Sequence, residues 1–197
     1  AFIPARRTKQ REEFLSRPRF LAISEFGPRA IVYHEGSRYT INKVILPPTT
    51  EDVPLTRRAK RCERCGYLHP IADADGPDRC HYCSALLGQP LRNLFRLQNV
   101  ATKRRDKINS DEEERVRLGY EIITGVRFED VGERSSPVRT ADVLREGTLL
   151  ARLTYGHTAT LWRMNMGWVR RSNTEQRGFL LDLERGYWAR NEQIADD

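Results

Sequence analysis

Four cysteines arranged as two Cys-x-x-Cys pairs are the residues whose types and spacing could do chemistry. Cys62 and Cys65 form the first pair, and Cys80 and Cys83 form the second. Each pair can form a knuckle, a tight turn that points two sulfur atoms at one ion, and Gly66 eases the first turn. Four thiolates at this spacing predict one structural zinc ion in a tetrahedral site. Such a site leaves no position for water, so we expect it not to be catalytic.

Other uses of these cysteines remain open. Two disulfides would need an oxidising compartment, which no secretion signal indicates. A rubredoxin-like iron site has the same ligands, and a redox Cys-x-x-Cys motif explains one pair only. Haem attachment needs a histidine after the pair, where Gly66 and Ser84 stand instead. His69 and His81 could replace a cysteine, but with four sulfurs present we expect them to be solvated or to lie behind the ligands.

The charge of the chain is unevenly distributed. The 197 residues carry a net charge of +7, of which residues 1–107 supply +10 and residues 108–197 supply −3. Arginine provides most of the positive charge, and its guanidinium group pairs with phosphates and stacks on bases. This imbalance favours a nucleic acid as the partner.

Three basic clusters stand out, at residues 57–61, 103–107 and 170–171, and aromatic side chains that can stack on bases lie near some of them. These rings are Tyr67, Tyr82, Trp162 and Trp168. The residues that we expect to contact phosphates are Arg57, Arg58, Lys60, Arg61, Lys103, Arg104, Arg105, Arg170 and Arg171. The alternative is a solvated basic surface with both tryptophans in the core.

No motif for nucleotide hydrolysis or acyl transfer is present. The chain has no Walker-type phosphate-binding loop, and its four histidines are scattered. The acidic run at residues 111–114 follows Ser110 as a capping box at the start of a helix. We therefore expect no enzymatic activity from this chain alone. A nuclease is an alternative that no cluster of carboxylates or histidines supports.

Nothing in the sequence indicates a membrane protein. No apolar run approaches the roughly 20 residues of a membrane-spanning helix. No apolar stretch follows the charges at the N-terminus, as a signal peptide requires. We therefore expect a cytoplasmic protein. Because the chain begins with Ala1, we also expect it to be a processed chain or a piece of a longer protein.

The elements that must position the cysteines are mostly predicted strands. They lie at residues 20–25, 30–34, 38–46, 91–100, 120–128, 148–155, 158–165 and 179–183. We expect hairpins between residues 30–34 and 38–46, and between residues 148–155 and 158–165. Residues 6–16 are predicted as a short polar helix or an arm, residues 103–110 as a charged loop, and residues 110–118 as a helix.

The predicted fold class is α+β and mainly β. It consists of antiparallel strands with one or two short helices and an inserted four-cysteine zinc ribbon. Residues 1–19 are predicted as an N-terminal arm or linker. Residues 20–197 are predicted as one β-rich domain, with the ribbon inserted at about residues 57–90.

Several stretches together resemble a known family. They are Glu-Phe-Gly-Pro at residues 25–28, Tyr-His-Glu-Gly-Ser-Arg-Tyr at residues 33–39, the charged stretches at residues 102–108 and 111–115 with the Gly-Tyr pair at residues 119–120, and Ala-Thr-Leu-Trp-Arg-Met-Asn-Met-Gly-Trp at residues 159–168. Read with the cysteine pairs, residues 20–190 resemble the C-terminal zinc-binding region of large bacterial superfamily 2 (DEAD/DEAH-box) helicases. This group includes the MrfA repair helicase and the helicase of the DISARM phage-defence system.

The resemblance implies a nucleic-acid-binding accessory region of an ATP-dependent DNA helicase or translocase, in DNA repair or antiviral defence. Its implied partners are single-stranded or duplex DNA and a helicase ATPase core in the same chain or a partner chain. The alternative is a zinc-ribbon protein–protein interaction module. In that case the ribbon and the acidic C-terminal half dock on a helicase core or a partner subunit, and the basic clusters are merely solvated.

Overall fold

Fourteen strands and one helix make up the regular structure in the described part of this computed structural model. The described residues are 2–8, 11–34, 36–47, 54–72, 75–105, 119–128, 138–171, 173 and 175–189. The elements are β1 (Phe2–Thr8), β2 (Arg11–Ser16), α1 (Arg19–Glu25), β3 (Ile31–His34), β4 (Ser37–Val44), β5 (Thr56–Arg61), β6 (Leu68–Ile71), β7 (Leu91–Phe95), β8 (Val100–Arg105), β9 (Tyr120–Phe128), β10 (Val138–Arg145), β11 (Thr148–Gly156), β12 (Ala159–Trp168), β13 (Leu180–Leu181) and β14 (Trp188–Ala189).

The chain divides into two compact units, each assembled from segments that are distant in sequence. Unit 1 comprises Ala1–Leu55, Phe95–Ile123 and Arg163–Asp197, and unit 2 comprises Thr56–Leu94 and Thr124–Trp162. Strands β9 and β12 form a two-stranded sheet, and each contributes residues to both units. The unit that contains the cysteines therefore extends beyond the expected insert at about residues 57–90, because it also includes β10 and β11.

Unit 1 has its core on one face of a three-stranded sheet in the order β3-β4-β8. Strand β4 pairs antiparallel with both neighbours. Helix α1 covers this face through Ala22, and Phe26 follows one helical turn later. The buried residues of the core are Ala22, Phe26, Ala30, Ile41, Val44 and Val100. Removing such side chains from water supplies the main favourable free energy of folding.

A cluster of aromatic rings extends the core of unit 1. Tyr120 stacks on Trp168 with ring centroids 4.7 Å apart, and Phe179 meets Trp168 and Trp188 edge to face. The Tyr120 hydroxyl donates to the Pro28 carbonyl at 2.9 Å, and burial raises the pKa of this tyrosine. Trp168 therefore packs against other aromatic rings of unit 1, which agrees with the alternative interpretation that this tryptophan belongs to the core.

Unit 2 contains a three-stranded sheet in the order β6-β5-β7 and a separate antiparallel hairpin of β10 and β11. The buried apolar side chains beside the cysteines are Ala59 of β5 and Leu68 and Ile71 of β6. These few apolar side chains make a small core. A bound metal ion would contribute the stability that such a core lacks.

The fold class is confirmed as mainly β with antiparallel sheets, but the expected position of one strand is wrong. Residues 20–25 belong to α1 rather than to a strand. The Leu21 and Ala22 amides donate to the Pro18 carbonyl at 3.0 and 2.9 Å, so proline begins the helix. Ala22 and Phe26 are buried four residues apart, which is the helical period.

The N-terminal segment and one hairpin also differ from the sequence prediction. Residues 6–8 belong to β1 and residues 11–16 belong to β2, and these strands pair with each other instead of forming a helix. Strand β11 pairs with β10, and β12 pairs with β9, so residues 148–155 and 158–165 do not form the expected hairpin. The unexpected partner β10 reaches β11 through Glu146 and Gly147, both of which have positive φ.

Residues 91–100 form two strands instead of one, because the chain leaves regular structure after Phe95 and resumes at Val100. Lys103, Arg104 and Arg105 then belong to β8 rather than to a loop. The helix expected at residues 110–118 lies outside the described residues. Among those described, no helix combines the length and the apolar character needed to cross a membrane.

Candidate metal centre

The two cysteine pairs occupy two six-residue turns of the same backbone geometry. The first turn joins β5 to β6, whose last pair is Arg61 with Leu68. The Cys62 amide donates to the Tyr67 carbonyl at 2.9 Å, and the Gly66 amide donates to the Cys62 carbonyl at 2.9 Å. These bonds close the turn and aim its cysteine side chains in one direction.

The second turn repeats this pattern. The bridge between Arg79 and Leu86 flanks it. The Cys80 amide donates to the Ala85 carbonyl at 2.8 Å, and the Ser84 amide donates to the Cys80 carbonyl at 2.8 Å. Ser84 has a φ of 58°, where the first turn has Gly66 at 75°. The shared positive φ shows that both turns require this conformation after the second cysteine.

The sulfur atoms of the two turns converge. All four lie within 4.8 Å of one another. The Cys62 and Cys83 sulfurs are 3.5 Å apart, and those of Cys65 and Cys80 are 3.6 Å apart. In a tetrahedral site with Zn–S bonds of about 2.3 Å, the sulfurs would lie about 3.8 Å apart. The arrangement therefore fits one metal ion, and none of the four cysteines forms a disulfide.

The surroundings of the thiols shift their pKa values in different directions. Burial works against ionisation of Cys62, but hydrogen bonds from the backbone of Cys65 and Arg64 and from two neighbouring thiols lower its pKa to about 7. Burial raises the pKa of Cys65 and of Cys80. The protein alone therefore does not favour four thiolates together. A bound cation would favour them by direct Coulomb attraction.

The first knuckle is attached to the C-terminal part of β9. The Val126 amide donates to the Gly66 carbonyl at 3.1 Å, and Arg61 Nε donates to the Thr124 carbonyl at 2.8 Å. A Cβ atom at Gly125 would lie 3.1 Å from Leu68 Cδ1. The absence of a side chain at position 125 thus allows β9 to pack closely on the ribbon.

Aromatic side chains cover one side of the ribbon. Tyr67 and Tyr82 stack at 5.7 Å between ring centroids, and His69 meets His81 edge to face at 4.8 Å. Burial and the nearby His81 and Arg127 lower the pKa of His69. His69 is buried, and its Nε2 atom has no hydrogen-bond partner within the described structure. The described group of possible ligands contains the four cysteines and neither histidine.

The cations expected at residues 57–61 are largely engaged inside unit 2. Lys60 is only 6% exposed, and its Nζ donates to the Pro77 carbonyl at 3.0 Å. Arg58 donates to the Ala72 carbonyl at 3.3 Å, and Arg61 to Thr124 as described. Only Arg57 of this cluster is exposed. Most cations of this cluster therefore stabilise the ribbon by donating hydrogen bonds to backbone carbonyls, and few are exposed to solvent.

The other expected cations are also divided between the surface and internal contacts. Arg170 is exposed, whereas Arg171 donates to the Trp168 carbonyl at 3.0 Å and to the Glu121 carboxylate at 2.7 Å. On β8, Lys103 and Arg104 are both exposed, and Arg104 also donates to the Ser37 hydroxyl at 3.0 Å. Arg105 closes the strand. The cations of β8 and the pair Arg170 and Arg171 belong to unit 1, whereas the cations at residues 57–61 belong to unit 2.

A third turn in unit 1 has the backbone pattern of the two knuckles without their cysteines. The Asp182 amide donates to the Tyr187 carbonyl at 2.9 Å, and the Gly186 amide donates to the Asp182 carbonyl at 2.8 Å. Gly186 has a φ of 76°. The sequence predicts a turn at Arg185 and Gly186 but not its likeness to the knuckles, although the Glu-Arg-Gly-Tyr of residues 184–187 resembles the Glu-Arg-Cys-Gly-Tyr of the first knuckle.

Comparisons with models of protein families, with curated proteins and with solved structures find no match. The resemblance to superfamily 2 helicases stays a prediction. The geometry defines a class of module: a β-rich chain with a four-cysteine centre compatible with a structural metal ion.

Proposed function

We propose that this chain is a zinc-stabilised, nucleic-acid-binding accessory region of an ATP-dependent DNA helicase or translocase. The observation that carries the nucleic-acid part is the exposed Lys103 on β8, a regular strand rather than a loop. A rigid strand holds cations at fixed spacing, so that binding phosphates requires little loss of conformational entropy. The net charge of +7 adds long-range attraction for a polyanion.

The four-cysteine centre supports the structural part of the proposal. Its four ligands leave no position for substrate or water, so it would stabilise the ribbon rather than catalyse a reaction. Zinc fits four sulfurs in tetrahedral geometry, and the proposal takes zinc as the ion. The chain itself would not hydrolyse ATP, and the ATPase core would lie elsewhere in the same chain or in a partner.

Fluorescence anisotropy with labelled single-stranded and duplex DNA tests the nucleic-acid part. We expect binding at low salt and a linear fall of log affinity with log salt, with a slope set by the number of phosphates contacted. Failure of the zinc-loaded chain to bind either form at low salt would refute this part. The coding sequence around the chain tests the helicase part. ATPase motifs in the same frame, or a co-purifying ATPase subunit, would support it, and a complete protein with neither would refute it.

A second candidate function is a protein–protein interaction module, and the β10–β11 hairpin favours it. Cross-strand pairs place Ala141 with Leu153 and Val143 with Ala151 on one face of the hairpin. Leu153 is 61% exposed and Tyr155 is 63% exposed. The other face carries the Asp142–Arg152 ion pair and the exposed pair of Leu144 with Leu149. An exposed apolar face of this kind marks an interaction site.

Substitution at two places separates the two candidates. Replacing Lys103 with glutamate should weaken nucleic-acid binding and leave assembly with a protein partner intact if the first candidate is right. Replacing Leu153 with serine should abolish assembly and leave nucleic-acid binding intact if the second candidate is right. Because both side chains are exposed, neither change should unfold the chain.

A further inference from the structure

The β10–β11 hairpin is exposed along nearly its whole length. Among the described residues its two strands pair only with each other, and residues 139–145 and 148–155 are all exposed. The hydroxyls of Tyr82 and Thr154 share a hydrogen bond of 2.6 Å, which joins the hairpin to the second knuckle. An isolated two-stranded hairpin is only marginally stable in water, whereas a sheet of three or more strands is stable. The hairpin therefore lacks strands that a partner could supply.

The apolar side chains of the hairpin lie on both of its faces. Six large ones are exposed, and they are Val143, Leu144, Leu149, Leu150, Leu153 and Tyr155. A partner packed on one face would leave those of the other face in water. A strand that pairs at an edge places its own side chains beside both faces, because successive residues of a strand point to opposite sides. The distribution of these side chains therefore suits pairing at an edge.

The two edges of the hairpin differ in charge. Strand β10 carries Arg139, Asp142 and Arg145, and charged side chains on an edge strand oppose pairing with another chain. Strand β11 carries Arg152 as its one charged residue and contains no proline. The Asp142 carboxylate accepts from Arg152 Nε at 2.6 Å and from its Nη2 atom at 2.9 Å, so this charge is offset within the hairpin. The edge formed by β11 is therefore the one open to a further strand.

A β-bulge limits the part of β11 that can pair regularly. The register passes from Val143 with Ala151 to Leu144 with Leu149, which leaves Leu150 as the extra residue in β11. Because a bulge bends its strand and disrupts the ladder, the regular part of β11 is residues 151–155. Leu153 lies at the centre of this segment, with two residues on either side.

This five-residue segment is complementary to itself. When two copies run antiparallel with Leu153 opposite the partner's Leu153, Ala151 lies opposite the partner's Tyr155 and Arg152 lies opposite the partner's Thr154. Apolar side chains then meet apolar ones, and no two charges of the same sign are opposite each other. Centring the pair on Arg152 would oppose two arginines, which destabilises a sheet. A shift by one residue would exchange the faces of one strand.

We propose that β11 pairs antiparallel with β11 of a second copy of this chain, about a two-fold axis at Leu153. The two hairpins then form one four-stranded sheet in the order β10-β11-β11-β10, which has the number of strands that a single hairpin lacks. This inference goes beyond nucleic-acid binding, and it rests on the interaction-module candidate, whose partner it names as a second copy. Five residue pairs make a small interface, so we expect dissociation constants of about 10 to 100 μM.

Light scattering after size exclusion of the metal-loaded chain, loaded at about 1 to 300 μM, tests the pairing. We expect the mass to rise from one copy to two over this range. Leu153→Lys should weaken the dimer about tenfold or more, because it places two like charges opposite each other at the axis. Leu144→Lys is the matched control, since Leu144 is 59% exposed and Leu153 is 61% exposed. Its change lies on β10, so it should dimerise within about twofold of the unaltered chain.

A mixing experiment tests the position of the two-fold axis. Leu153→Glu alone should also dimerise weakly, because two carboxylates would be opposite each other. An equimolar mixture of the Leu153→Lys and Leu153→Glu chains places opposite charges at the axis. We expect the mixture to associate about fivefold or more tightly than either variant alone. Unchanged metal content and circular dichroism would show that the variants remain folded.

The outcomes separate this inference from the candidate function on which it rests. If the unaltered chain stays monomeric throughout the range, the second copy is refuted as the partner. Assembly with a different protein that Leu153→Ser abolishes would still support the interaction module. If Leu153→Lys dimerises as well as the unaltered chain, or Leu144→Lys is weakened as much, pairing through β11 is refuted. A mixture no tighter than its components would refute the axis at Leu153, and growth beyond two copies would refute a closed two-fold pair.

Discussion

Asp182 holds the position in its turn that Cys62 holds in the first knuckle. Both residues donate their amide to a tyrosine carbonyl five residues later, Tyr187 and Tyr67 respectively, and both accept from a glycine amide four residues later. In the knuckle the cysteine side chain is free to bind metal. In the other turn the Asp182 carboxylate accepts from the Glu184 and Arg185 amides at 2.9 and 3.0 Å. The chain thus stabilises one backbone geometry in two ways.

Acid should weaken the Asp182 turn in a predictable direction. The amides of Arg185 and Glu184 hold the pKa of the Asp182 carboxyl below its usual range. A carboxyl whose pKa is lower in the folded than in the unfolded state stabilises the fold at pH values above its pKa in the unfolded state. That contribution is lost as the pH falls through the pKa of the carboxyl in the folded state. Replacing Asp182 with alanine should therefore reduce the free energy of unfolding at pH 7 and leave little difference in strong acid. Urea denaturation across pH measures this, and an equal loss at every pH would contradict it.

Gly186 should not tolerate a side chain. Its φ is 76°, and a Cβ atom there would overlap the carbonyl oxygen of Val44. Gly36 has a similar φ of 70° with nothing within 4 Å of its Cβ position, so it serves as the matched control. We expect Gly36→Ala to cost about 1 kcal/mol from backbone strain alone. Gly186→Ala should cost about 3 kcal/mol or more, since β4 or the turn must also move. If urea denaturation gave the same loss of unfolding free energy for both variants, the overlap at position 186 would be relieved without an energetic cost.

Arg170 and Arg171 should behave differently although they are neighbours. The Arg171 side chain is 13% exposed and bonds two backbone carbonyls and the Glu121 carboxylate. Arg171→Gln should destabilise the chain by about 2 kcal/mol, because it removes hydrogen bonds to a charged donor. Arg170→Gln, at an exposed position, should change stability by less than about 0.5 kcal/mol. Thermal unfolding measures both. An unchanged melting temperature for Arg171→Gln with weaker DNA binding would instead make Arg171 a phosphate contact.

The spacing of the cysteines was enough to predict a four-sulfur site, because a Cys-x-x-Cys turn determines its own geometry locally. Strand partners were harder to predict. Periodicity showed a strand near residues 148–155, but nothing in that stretch specifies β10 as its partner. The short apolar run at residues 20–25 fits a strand or a helix equally well, and packing of Ala22 on the sheet favours the helix.

The roles of the basic residues depend on tertiary contacts that composition does not reveal. Lys60 lies in a run of cations, yet it is buried and bonded to Pro77. Lys103 and Arg104 are adjacent, but the pleat of β8 places them on opposite faces. A basic cluster in sequence is therefore not the same as a basic surface in the fold.

Metal content of the purified chain tests the central claim most directly. We expect elemental analysis to give one zinc ion per chain, and a Cys62→Ser/Cys83→Ser variant to lose it. A strong chelator should increase hydrogen exchange at the amides of Gly66 and Ser84, which close the two knuckles. One zinc per chain, lost together with this protection, would support a structural zinc centre. Iron in place of zinc, or a metal-free chain with disulfides between the cysteines, would contradict it.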